Sequence, residues 1–197
     1  KPVIHDAISH RLVVPNGTMG QRWEEGKQWN LKLETEDGSK IDPALSVAEE
    51  DYELQTIQFP YFDSQGDGIF ERPIPTKKVK LADGKEVRIA TVYDLMASQY
   101  GIKRFGHELE AKSYEDSESK YTPAWQENVT GIKQELVTQV AREFAQNAID
   151  TKGRSMIIMG AGINHWFNSD TIYRAVLNLV LLCGCLLYTS PSPRDLS

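Results

Sequence analysis

The sequence is short of cysteine: it has two in 197 residues, Cys183 and Cys185. A single C-x-C pair builds no disulfide framework, so a reducing compartment is the default reading. The pair also lacks the two-residue spacer usual in zinc sites and has no partner pair, so it reads as buried helix-end cysteines. Positive charge is in deficit as well. Twenty-two Lys and Arg face 28 Asp and Glu, a net charge of -6. That balance excludes nonspecific nucleic-acid binding, which needs a basic surface to displace counterions from phosphate. It leaves room for an anionic ligand, because backbone N–H groups bind anions without basic side chains. Long apolar runs are missing too. The longest, Ala175 to Leu187, is broken by Asn178. It falls short of the ~18 residues of a membrane span and reads as a buried helix. No charged segment precedes an apolar stretch at the N-terminus, so no signal peptide is read there.

What is present, 40% hydrophobic and 25% charged residues, is the composition of a globular protein with a real core. Up to about Phe70 the chain reads as loops and short strands. Arg11 to Val14 is a short strand stopped by Pro15-Asn16-Gly17. Trp23, Trp29 and Trp125 read as packing anchors, as does the aromatic stretch IQFPYFD. DSQGDG, from Asp63 to Gly68, lacks the ligand spacing of a calcium loop and reads as a turn. KKVKLADGKEVRIAT is a β-hairpin: apolar residues alternate with charged ones on both arms, and Asp83-Gly84 makes the turn. A helix follows from Thr91, its N-cap, to a stop at Gly101. After a polar connector, Tyr114 to Lys120, a second helix is expected from about Gly131 to Asn147, capped by Thr130. Leu136, Val137, Val140 and Phe144 form its apolar stripe.

Ser155 to Met159 is a short apolar run, as in a strand buried on both faces of a parallel sheet. A Gly-rich loop and a third helix, about Asp170 to Leu182 with Ser169 or Asp170 as its cap, complete half of a doubly wound α/β unit. Loops at the carboxyl ends of such strands hold ligands. Gly160 and Gly162 would let a ligand approach the backbone closely. Asn164, His165 and Trp166 add donors, an acceptor and a flat apolar face. The dinucleotide fingerprint would need a third glycine where His165 stands, so a standard nicotinamide site is rejected.

GRSMIIMGAGINHWFNSDTIYR, with LCGC at the end of the last helix, resembles the respiratory, membrane-bound nitrate reductase catalytic subunits of the molybdopterin oxidoreductase family. So do YTPAWQENVTGIKQELVTQVAREFAQNA, VKLADGKEVRIATVYDLMASQYG and VVPNGTMGQRWEEGKQWNL. The resemblance runs from about Leu12 to Cys185, with weaker stretches at Leu33 to Asp63 and Lys103 to Ser119. It implies an internal fragment of a larger enzyme that reduces nitrate to nitrite at a molybdenum bis-(molybdopterin guanine dinucleotide) centre. It also implies a [4Fe-4S] cluster, an iron–sulfur beta subunit and a membrane haem gamma subunit as partners, and a place at the cytoplasmic face of the membrane. The loop residues Gly160, Ala161, Gly162, Asn164 and His165 are then cofactor-contacting candidates, and Arg174 a candidate for the dinucleotide phosphates. The family's molybdenum-ligating aspartate and cluster ligands lie upstream of the matched region, so no catalytic or metal-ligating residue is assigned here. Selenate, chlorate and dimethyl sulfoxide reductases share the cofactor, and a non-catalytic α/β binding module is the rival from another class.

The expected organisation is a loop-rich segment over residues 1–76 and a Rossmann-like α/β segment over 77–185. The last stretch, 186–197, departs from the family pattern and reads as non-native. His5, His10 and His107 have no partners at metal spacing, and Asn128-Val129-Thr130 matters as a sequon only in a secretory compartment.

Overall fold

The computed structural model describes residues 3–17, 32–48, 51–63, 66–81 and 83–184. Trp23, Trp29, Cys185 and the 186–197 tail lie outside the described residues, as do residues 64 and 65 of the DSQGDG turn. The chain forms two compact units, Lys1–Thr122 and Pro123–Ser197.

The first unit opens with a small antiparallel pair, β1 (Ile4–Asp6) and β2 (Arg11–Val13). Asp6 builds the turn between them. Its carboxylate accepts from the backbone N–H of Ile8 and Ser9 and from the Ser9 hydroxyl, and it reaches across the unit to the Asp42 N–H at 2.8 Å. The Ser9 hydroxyl first, then the Asp42 N–H, hold its pKa down at about 2.

The second sheet corrects the sequence reading. Glu53–Asp63 (β3) and Gly66–Lys80 (β4) form one long antiparallel hairpin, in register from Glu53 opposite Thr76 to Asp63 opposite Gly66. Prolines argue against strands because they cannot donate to the ladder. Here Pro73 and Pro75 lie where β4 has β3 as its one neighbour, so an edge N–H is not needed. The expected hairpin is present: β4 continues into pairing with β5 (Glu86–Ile89), Lys77 facing Ile89 and Val79 facing Val87, with Gly84 at φ 85 in the turn. The core of this unit is small and includes Ile41, Val47, Phe59, Ile74 and Ala97.

Helix α1 (Val92–Gln99) starts as expected. Thr91 Oγ1 accepts from the Asp94 N–H, and the helix stops at Gly101 with φ 69. Asp94 is fully buried. It accepts from Ser46 Oγ at 2.6 Å, the Val47 N–H at 2.9 Å and Arg104 Nη1 at 2.7 Å. This one carboxylate therefore ties residues 46–47, α1 and the loop after α1 together. Burial alone would raise its pKa, but the hydrogen bonds from Ser46, Val47, Arg104 and Thr91 outweigh it, and the group sits below the ordinary carboxylate value. Glu110 closes the following loop, accepting from the N–H groups of Arg104, Phe105 and His107.

In the second unit, α2 (Pro123–Thr130) is a helix the sequence reading did not expect. Thr130 belongs to its last turn, donating to Gln126 O, and Gly131 at φ 74 breaks the chain there. The long helix α3 (Gln134–Asp150) thus starts later than expected, with Lys133 at its N-cap and no side-chain cap. Its expected apolar stripe is only partly covered: Val137 and Phe144 are half-buried, but Leu136 and Val140 are more than half exposed. Ser155 is buried, donating to Phe144 O and accepting from Asn147 Nδ2.

The parallel strand expected at Ser155 to Met159 is absent. Those residues have no strand partner, and the sheets among the described residues are antiparallel. A buried parallel strand needs neighbours on both edges, and the described residues provide none. One turn, α4 (Ala161–Asn164), and then α5 (Ser169–Leu182) follow. Asn168, not Ser169 or Asp170, occupies the N-cap, without a side-chain bond. The buried helix expected here forms, but none of its residues is buried.

Gly153 has a hard packing reason to be glycine. It has φ 86, and a Cβ there would stand 2.5 Å from Gly184 O. Gly153→Ala should therefore pull the end of α5 away from the α3–loop junction. Hydrogen exchange at the Cys183 and Gly184 amides should accelerate, while the first unit stays unchanged; unaltered exchange at both would refute this.

Candidate functional site

The candidate residues Gly160, Ala161, Gly162, Asn164 and His165 sit together on the α4 turn, and all five are exposed. Gly160 is in extended backbone, φ -132, which any residue adopts. A Cβ at Gly160 or at Gly162 would meet no atom within 4 Å. Neither glycine is thus required by backbone conformation or by packing among the described residues. Both leave open space beside the loop.

Asn164 is held by Tyr173 of α5, whose hydroxyl donates to the Asn164 Oδ1. That bond fixes the amide and leaves its Nδ2 donors for another acceptor. Sequence reasoning missed Tyr173, because nine residues and a helix break separate the two. Trp166 is 68% exposed and Phe167 fully so, and Ile158 just before the loop is 84% exposed. A single four-residue turn has too few aligned peptides for a useful dipole, so α4 itself is no anion site. Arg174 is exposed on α5. No described group of three or more His, Cys, Asp or Glu side chains is placed to hold a metal.

An open glycine pair, an oriented amide, an imidazole and uncovered aromatic faces suit a large, flat, polar cofactor. Comparison with known proteins gives the family. The family described as Molybdopterin oxidoreductase matches residues 86–193, which include the whole loop. This chain belongs to that family. Among its relatives, the nitrate reductase alpha chain of Bacillus subtilis (strain 168) is 55% identical over 185 residues, 93% of this chain and 15% of that protein. The respiratory nitrate reductase 1 alpha chain of Escherichia coli (strain K12) is 38% identical over 89% of this chain. The perchlorate reductase subunit alpha of Dechloromonas aromatica (strain RCB) is 30% identical over 54%. The chain spans about 15% of the length of the nitrate reductase relatives and is a fragment of a molybdopterin oxidoreductase.

Proposed function

We propose that this chain is an internal part of a nitrate reductase catalytic subunit, and that the Gly160–His165 loop lies against its molybdopterin guanine dinucleotide cofactor. The open space beside Gly160 and Gly162 carries the reading, since no described residue accounts for either glycine. The residues present fit such a group. The two glycines permit close approach, the Asn164 amide can donate to a pterin or phosphate acceptor, and His165 can donate or accept at its ring nitrogens. Trp166 and Phe167 would exclude water from one side. When bound, the molybdenum centre supplies the redox chemistry that removes an oxygen atom from nitrate, with two electrons arriving through iron–sulfur clusters. The protein's task here is to position that centre.

The exposed apolar faces of α3 and α5 suit a piece whose neighbours belong to the rest of the subunit. In that setting, residues 155–159 would pair as a parallel strand, giving the Rossmann-like topology. The partners would be an iron–sulfur beta subunit and a membrane haem gamma subunit. On this reading the subunit sits peripherally at the cytoplasmic face of the membrane. No described helix is long and apolar enough to cross a membrane. The chain alone would be inactive, because the family's metal and [4Fe-4S] ligands lie in other stretches.

The perchlorate reductase match favours one second reading, a related oxyanion as substrate. Expressing the full reading frame with its cofactor-loading machinery separates the two. Turnover of nitrate preferred over perchlorate and selenate is expected, and preference for either of the others would replace nitrate as the substrate.

A further inference from the structure

The first unit holds a second concavity, between the β1–β2 hairpin and the β4–β5 hairpin, of about 280 Å³. We propose that it binds a small organic carboxylate, the acid group held by His5 and Lys77 and the hydrocarbon part lying on Leu12, Val79 and Ile89.

His5 is the first reason. It lines the cleft and is only 7% exposed, yet neither ring nitrogen has a hydrogen-bond partner. Buried polar groups are nearly always satisfied, so one that is not asks for a missing partner. Its neighbours settle the sign of that partner. Arg11, Lys77, Lys80 and His10 also line the cleft, and no carboxylate does. Two acids nearby, Asp6 and Glu53, are already engaged. Asp6 accepts from Ile8, Ser9 and the Asp42 N–H. Glu53 pairs with Lys78 and Arg88, which the strand alternation places on the opposite face of the hairpin from Lys77, Val79 and Ile89. Glu86 stands opposite Lys80 on that far face, so among the described residues no carboxylate lines the cleft beside His5 and Lys77.

The remaining wall decides the ligand class. Leu12, Val79 and Ile89 offer apolar contact that a bare oxyanion cannot use. An acid on a short aliphatic body uses both sides.

The test is a ligand-observed NMR titration of the full-length subunit with three probes: butyrate, its neutral isostere butyramide, and inorganic phosphate. Butyrate should bind roughly tenfold or more tightly than butyramide, the difference expected of one charge-assisted hydrogen bond. Phosphate should bind more weakly than butyrate. Lys77→Gln and His5→Phe should each weaken butyrate by a similar factor. Lys77 is only half-buried, so its variant keeps the test alive if His5→Phe fails to fold. Equal binding of butyrate and butyramide would overturn the proposal, as would indifference to Lys77→Gln. Phosphate binding as tight as butyrate would overturn the carboxylate assignment. No binding of any probe, as when another part of the subunit fills the cleft, would overturn it entirely.

Discussion

Asp94→Ala should destabilise the first unit by about 3–5 kcal/mol, the range seen when one member of a buried ion pair is removed. The reason lies in what is left behind. Arg104 has a side chain only 16% exposed and puts Nη1 2.7 Å from Asp94. Without the carboxylate it becomes a buried charge whose remaining company is the residue 94 carbonyl, Ser98 and the rings of Tyr93 and Phe105. The Ser46 hydroxyl and Val47 N–H lose their acceptor in the same step. Hydrogen exchange at the Val47 amide reads the effect locally, and its rate should rise by roughly two to three orders of magnitude. Asp94→Asn should do less harm, because it keeps one of the two acceptor oxygens while losing the charge and the other acceptor. Pairing Asp94→Ala with Arg104→Met should cost less than the sum of the two single changes. Additive costs would mean that the two groups are not coupled.

The pH dependence has a definite sign. The folded-state pKa of Asp94 is lowered, so its stabilisation is fully present above the unfolded carboxyl value of ~3.9 and is lost as pH falls through the folded value. Asp6, held at about 2, follows the same direction. The stability gap between wild type and Asp94→Ala should therefore narrow in acid, not in base.

The second large effect concerns function. Gly162→Leu in the full-length subunit should fold normally and lose cofactor. Leucine is a better helix former than glycine, and its Cβ would meet no atom of this chain within 4 Å. If a pterin occupies that space, the added side chain displaces it, and nitrate reduction should fall roughly 100-fold, as for ångström-scale misplacement of reacting groups. Pterin content, measured by fluorescence after oxidative release, should fall with it, while the melting profile of the apo-subunit stays unchanged. Full pterin content in Gly162→Leu would remove the loop from the cofactor site. A collapsed melting profile would show that protein fills the space instead.

Much of the local structure was readable from the chain because single residues decide it. Asp83-Gly84 fixed the β4–β5 hairpin, and Thr91 with Gly101 fixed both ends of α1. The long β3–β4 hairpin was hidden by Pro60, Pro73 and Pro75, whose meaning depends on whether a strand has one neighbour or two, a tertiary fact. The start of α3 was misplaced because Thr130 can cap a helix or end one, and the positive φ of Gly131 decided for ending. The strand expected at Ser155 to Met159 failed for a different reason. Its apolar run is a request for sheet neighbours, and the described residues contain none to answer it. At the candidate site, the clustering of Gly160 to His165 was legible as a contiguous motif. The Tyr173–Asn164 bond and the cleft around His5 were not, since each joins residues from separate elements.

The most direct measurement is a density map of the full-length subunit with its cofactor. The account predicts pterin or dinucleotide atoms in van der Waals contact, about 4 Å, with Gly160 or Gly162, and a polar cofactor atom within hydrogen-bond reach of Asn164 or His165. A map in which side chains from elsewhere in the subunit occupy the space beside both glycines, with the cofactor out of reach, would contradict it.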